Sequence, residues 1–268
     1  MYLSCLLIDV GDNPDRPRPG RLWLRNLYHV HQRLCMAFPS DDRKKRDPDF
    51  LAPYAPGDFP EQRHLADKKK GEVCECVLRQ VHAPRQSDSG FLFRVEPQPG
   101  GRGVILVQSA VEPHWDYAFH NAGYLLAAPH QTKEFDPRFE EGERLQFRLL
   151  VNPTKRVPGN HVVRADGKWK DGPRVPVRPE GLFKWLSDRG ELSGFAVSED
   201  GVTVQTGYVY FDKKTREGER PQGGRLRSVR FDGVLTVTDP EKLRETIMKG
   251  IGSGKAFGFG LLSVAPVR

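Results

Sequence analysis

Cysteine is scarce in these 268 residues: there are four, Cys5, Cys35, Cys74 and Cys76. So few make no disulfide framework for a chain of this length, and Cys74-x-Cys76 has no second ligand pair at zinc-finger spacing. Long apolar runs are also missing, and the N-terminus shows no basic region followed by a hydrophobic core. The expectation is a cytoplasmic protein with neither leader nor membrane span. His82, His114, His120 and His130 are scattered, and no pair has the spacing of a helical metal site. Metalloenzyme chemistry is therefore set aside, and no metal or other cofactor is expected.

The glycines that are present cluster near the end. Gly250-Ile251-Gly252-Ser253-Gly254-Lys255-Ala256-Phe257-Gly258-Phe259-Gly260 precedes the apolar run Leu261-Leu262-Ser263-Val264. Dinucleotide and phosphate-loop sites need a strand, then glycines, then a helix whose N-terminus faces phosphate. Here the order is reversed. Asp239 is an N-cap, Pro240 opens a helix with Leu243, Ile247 and Met248 on its apolar side, and Gly250 stops it. Two functions fit helix, glycine loop, strand. One is a C-cap with a tight strand entry, and the other is a loop whose N–H groups and Lys255 receive a polyanion.

Charge points the same way. Residues 142–268 hold 23 Lys and Arg against 15 Asp and Glu, a net +8, while the 19 against 20 in residues 1–141 give −1. A one-sided basic excess suits a polyanion partner or a solvated basic surface.

Along the chain, Tyr2 to Val10 reads as a buried strand ended by the Gly/Asp/Asn/Pro cluster of Gly11 to Gly20. Asn26 caps a helix over Leu27 to Phe38, with Leu27, Val30, Leu34 and Phe38 in one stripe before Pro39. Tyr28 and His31 fall together beside that stripe. Ser40 to Gly71 is a polar insertion with the basic runs Arg43-Lys44-Lys45-Arg46 and Lys68-Lys69-Lys70. Strands follow over Cys74 to His82, Gly90 to Glu96 and Val104 to Ser109, and Gln131 to Glu141 reads as an interdomain connection.

The second half restarts with Gly142 to Asn152, in which Leu145, Phe147 and Leu149 face one way. A helix begins at Gly181 to Leu186, and strands are expected over Phe195 to Val197 and Val202 to Phe211. Arg225 to Asp232 and Val234 to Thr238 read as a hairpin turning at Asp232-Gly233. Each half thus repeats strand, helix, hairpin strands, helix or connection, strand. The predicted class is α+β: two tandem ferredoxin-like (RRM-like) domains with antiparallel sheets, over 1–132 and 142–268 with a linker at 133–141.

Three separated stretches resemble one family. Near the N-terminus it is Asn26-Leu27-Tyr28-His29-Val30-His31-Gln32-Arg33-Leu34. In the middle come Val107-Gln108-Ser109, Glu112-Pro113-His114-Trp115, Phe147-Arg148-Leu149 and Asn152-Pro153-Thr154-Lys155-Arg156. At the end are Phe231-Asp232-Gly233-Val234-Leu235, Thr238-Asp239-Pro240 and Gly250 through Pro266. They are similar to the CasE family, the CRISPR repeat-processing endoribonucleases of type I-E Cascade.

That resemblance implies binding of a CRISPR repeat RNA stem-loop, cleavage at the 3′ base of the stem without metal, and retention on the product among other Cascade subunits. In such chemistry the ribose 2′-OH attacks the adjacent phosphorus, leaving a 2′,3′-cyclic phosphate and a 5′-OH. The catalytic pair implied is Tyr28 and His31, with base and acid unassigned between them; imidazole titrates near neutral pH. Neighbouring His29 points roughly 100° away around the helix. RNA contacts are expected from Lys155, Arg156, Lys255 and the arginines Arg225, Arg227 and Arg230, with Gly250, Gly252, Gly254, Gly258 and Gly260 shaping the loop. The competing reading is a non-catalytic subunit that only holds the RNA hairpin.

Overall fold

The structure, a computed structural model, describes residues 1–11, 13, 18–40, 90–98, 102–157, 173–213 and 222–267. Almost all of the polar insertion and the strand expected over Cys74 to His82 lie outside the described residues. The chain forms two compact units, Met1–Asp136 with Phe211–Gln222, and Pro137–Tyr210 with Gly223–Arg268.

In the first unit the order is β1 (Tyr2–Asp9), α1 (Pro19–Leu24), α2 (Leu27–Cys35), β2 (Leu92–Gln98), β3 (Arg102–Ser109), α3 (Trp115–Phe119) with a 3₁₀ segment His120–Leu125, and β4 (Gln131–Glu134). The four strands pair antiparallel in the order β2-β3-β1-β4. In β1 every second side chain is buried, Ser4, Leu6 and Ile8, as a half-buried strand requires. Its central polar residue is satisfied: Trp115 Nε1 donates to Ser4 Oγ at 3.0 Å, and Thr132 Oγ1 lies 3.0 Å from the same oxygen. Gln131–Glu134 is therefore not the start of a connection but the fourth strand, paired with Tyr2 through Cys5. Its side chains are all exposed, so no apolar alternation announces it.

Helix α2 begins where expected, with Asn26 Oδ1 accepting the Tyr28 N–H at 3.2 Å. It stops at Cys35 rather than running to Phe38, and Met36, Ala37 and Phe38 make i→i−3 bonds. Pro39 disfavours helical backbone at the residue before it, which tightens this last turn. Helix α1 was not foreseen; Pro19 occupies its first position.

The second unit runs β5 (Arg144–Val151), a short hairpin β6 (Thr154–Arg156) and β7 (Arg174–Pro176), α4 (Leu182–Leu192), β8 (Phe195–Lys213), β9 (Gln222–Val237), α5 (Pro240–Lys249) and β10 (Leu262–Pro266). Its sheet order is β10-β5-β9-β8. Both units thus thread four sheet strands and their helices as strand, helix, two strands, helix, strand, with the first strand inside the sheet; this is the ferredoxin-like plan. Leu145, Phe147, Leu149 and Val151 are all buried on one face of β5, as the alternation predicted.

One expectation fails here. Asp232-Gly233 does not turn the chain, because β9 runs unbroken through it, and the two strands expected before it are one continuous β8. The Asp232 carboxylate is taken by Arg148, its partner in the β5 ladder, and by Arg230 Nε at 2.6 Å, so it is not available to close a turn. Gly233 serves close approach instead: a Cβ there would lie 2.2 Å from the Gly201 carbonyl oxygen.

Candidate nuclease site

Tyr28 and His31 sit one turn apart on α2, flanking the stripe of Leu27, Val30 and Leu34, which packs into the core. The His31 ring is half-buried and lies against two aromatic rings of the sheet side. Phe91 stacks on it at 5.4 Å between centroids and 26° between planes, and Phe93 at 6.2 Å and 19°. Phe91 stacks in turn on Phe38 at 5.0 Å, and Phe38 meets Trp115 edge-on at 6.0 Å. The imidazole is thus the outer member of an aromatic run that reaches the core, which fixes its plane. Its Nδ1 is buried, and its Nε2 lies 3.6 Å from the Cys35 sulfur.

His29, the competing histidine, is engaged elsewhere. Its Nε2 is 3.4 Å from Asn26 Nδ2 at the helix cap, and its ring tilts against Tyr28 with centroids 6.4 Å apart. Arg33 anchors the helix: Nη1 donates to the Ala118 carbonyl at 3.0 Å and to Asn121 Oδ1 at 2.8 Å. Burial pulls its guanidinium below the ordinary arginine value, opposed by the charge interaction with Tyr124. Among the described residues no group of three or more His, Cys, Asp or Glu is placed to hold a metal ion. No helix among them is long and apolar enough to cross a membrane.

The cations of the second unit differ in their surroundings. Lys155 and Arg156 are exposed on β6, and β7 sets Arg174, also exposed, opposite Arg156. Arg174 was not singled out from sequence; only the pairing across a long intervening segment brings it there. Arg225, exposed, has its guanidinium carbon 4.8 Å from the centroid of the exposed Tyr208 ring. Arg227 Nη1 donates to the Val177 carbonyl at 2.6 Å, and Arg230 is bound to Asp232.

The glycine loop turns much of its backbone inward. Gly250, Gly252, Gly254, Gly258 and Gly260 all have positive φ. The Ile251 N–H donates to Gly260 O at 2.9 Å, Gly260 N–H to Leu150 O at 2.8 Å, and Gly250 N–H to Thr246 O at 2.7 Å. A Cβ on Gly254 would come within 2.9 Å of the fully buried Phe259 ring. Lys255, exposed, donates to the Lys249 carbonyl at the end of α5. Helix capping and strand entry therefore account for these N–H groups.

Two ferredoxin-like modules, one carrying a helix-borne tyrosine and histidine, the other exposed cations on β6 and β7 and a glycine loop, define a two-module α+β protein. The chain belongs to the CRISPR-associated protein family, whose model matches residues 60–266. It is 37% identical over 183 residues to the CRISPR-associated endoribonuclease Cse3 of Thermus thermophilus, spanning 66% of this chain and 80% of that protein. It is 28% identical over 270 aligned positions to the CRISPR system Cascade subunit CasE of Escherichia coli, across the whole of both. A solved structure of Cse3 bound to 19-nucleotide RNA matches 99% of this chain and 100% of its own, with a TM-score of 0.63 at 29% identity. The Thermus thermophilus Cse3 bound to an RNA representing a pre-cleavage complex matches with 0.58 at 27% identity, over 99% and 98% of the two chains.

Proposed function

We propose that this protein is a CRISPR endoribonuclease that binds the repeat stem-loop, cuts the precursor RNA at the 3′ base of the stem and stays with the product as a Cascade subunit in the cytoplasm. The observation that carries this is the 37% identity to a protein named CRISPR-associated endoribonuclease Cse3. The Tyr28/His31 pair on α2 supplies groups suited to the reaction.

The chemistry follows from what RNA brings. The 2′-OH is the nucleophile, so the protein must take one proton, return one to the leaving 5′ oxygen and balance charge on phosphate. His31 moves a proton, and Tyr28, one turn earlier, orients the 2′-OH or shares the transfer. Lys155, Arg156 and Arg174 neutralise phosphate along the RNA, and Arg225 and Lys255 of the same module add to them. DNA lacks the nucleophile and is not cut.

The test is incubation of a matching repeat RNA with saturating protein in excess EDTA. The expected products carry a 2′,3′-cyclic phosphate and a 5′-OH. Uncut RNA under full binding would instead support the hairpin-holding subunit.

A further inference from the structure

Cys35 lies one helical turn beyond His31 on α2, and its sulfur is 3.6 Å from His31 Nε2, within the reach of a sulfur hydrogen bond. The rest of the imidazole is occupied: Phe91 and Phe93 stack on it, and Nδ1 is buried. Without leaving that stack, the ring exchanges a proton through Nε2. The thiol thus faces the nitrogen that works.

We propose that Cys35 is a positioning residue for His31: its S–H donates to Nε2, which fixes the neutral ring with its proton on Nδ1. This deepens the reading of His31 as a proton-transfer group and rests on it. The direction of the bond follows from the strengths of the groups. An imidazole nitrogen lone pair is a good acceptor, whereas a thiol sulfur is a weak one, so S–H to nitrogen is favoured over N–H to sulfur. A carboxylate in the same place would hold the ring charged instead. A thiol sets the tautomer yet yields Nε2 readily to an incoming hydroxyl, since its own bond is weak. The aromatic stack sets the plane of the ring, and Cys35 sets which nitrogen carries the proton.

The experiment uses the full chain and compares Cys35→Ala with Cys35→Ser, measuring single-turnover cleavage of a repeat RNA and, separately, its Kd. Imidazole ¹⁵N spectra of the wild type and both variants report the His31 tautomer. Removing the donor in Cys35→Ala is expected to slow cleavage about three- to tenfold, the size of one weak hydrogen bond, with Kd held within about twofold. Cys35→Ser, whose hydroxyl also donates, recovers most of the rate. The wild-type spectrum shows the proton on Nδ1, and the Cys35→Ala spectrum shifts towards a mixture.

Cys35→Ala cleaving at the wild-type rate, or a wild-type spectrum with the proton on Nε2, overturns the proposal. So does a loss confined to Kd. Should Cys35→Ala fail to fold, the wild-type spectrum and Cys35→Ser still decide. Full cleavage by His31→Ala would defeat the catalytic reading of the imidazole, while the spectra would continue to report whether Cys35 sets its tautomer.

Discussion

Gly233 in β9 lies so close to Gly201 in β8 that a Cβ on Gly233 would sit 2.2 Å from the Gly201 carbonyl oxygen and 3.1 Å from Val202 Cα. Those obstacles are backbone, so a side chain cannot be accommodated by a rotamer change. Gly233→Ala must part the two strands, and overpacking of this kind costs about 1–3 kcal/mol. The reciprocal change is an internal control: a Cβ on Gly201 would meet only the Ser198 carbonyl oxygen, at 3.5 Å. Thermal melts should show Gly233→Ala clearly lowered and Gly201→Ala close to wild type.

The aromatic run behind His31 leads to a kinetic prediction. His31 is held against Phe91 and Phe93, while His29 is turned to the Asn26 cap. His31→Ala should lower the single-turnover cleavage rate by about 10²–10⁴ with RNA binding retained, the usual worth of a positioned proton-transfer group. His29→Ala should lose far less, through helix capping alone. Measuring both rates at saturating protein separates chemistry from affinity; equal losses would remove His31 from its role.

Trp115 and Ser4 allow a test of the first unit's core. The indole is 1% exposed and Ser4 equally so, and the N–H to Oγ bond joins α3 to β1. Ser4→Ala leaves a buried indole N–H without its acceptor and should cost about 1–3 kcal/mol. Replacing both partners, Ser4→Ala with Trp115→Phe, should cost less than the sum of the single changes. Urea titrations of the four proteins give the coupling directly.

Much of this architecture was legible in the residues because burial and period coincide. In β5 the alternation of Leu145, Phe147, Leu149 and Val151 matches the buried face, and in α2 the cap Asn26 and the stripe Val30 and Leu34 match theirs. The misses have equally physical origins. Strand β4 has four exposed side chains, so its pairing with β1 leaves no apolar trace. Asp232-Gly233 carries turn chemistry but is used across strands, the carboxylate by Arg148 and Arg230, the missing Cβ by the Gly201 backbone. Arg174 needed the β6–β7 pairing to stand opposite Arg156, and Cys35 needed the helix geometry to reach His31 Nε2.

Asp239 predicts a pH effect of definite sign. It caps α5, accepting the Lys242 N–H at 3.0 Å, and its carboxylate also holds Lys242 Nζ at 2.8 Å. Side-chain and then backbone bonds from Lys242 hold its pKa below the ordinary carboxylate value. A depressed folded-state pKa stabilises the fold above the unfolded value of about 3.9, and that contribution is lost as pH falls through the folded value. Asp239→Asn keeps an N-cap acceptor but not the charge. The Tm difference between wild type and Asp239→Asn should be constant near neutral pH and shrink below about pH 4. A difference that grew on acidification would contradict it.

The cations of the second unit should differ in what they contribute to RNA binding. Lys155 and Arg174 are exposed on β6 and β7, whereas Arg230 is held by Asp232, which Arg148 also engages. A cationic side chain that neutralises phosphate releases counterions, so removing it flattens the dependence of log K on log salt by about 0.7–0.9 per contact. An arginine already paired with a carboxylate adds little to that slope. Lys155→Ala and Arg174→Ala should each weaken binding of the repeat RNA and reduce the slope, and the double variant should reduce it by about twice as much. Arg230→Ala should leave the slope nearly unchanged while lowering Tm, since Asp232 loses one of its two partners. Equal slope losses at all three positions would mean that Asp232 gives up Arg230 when RNA binds.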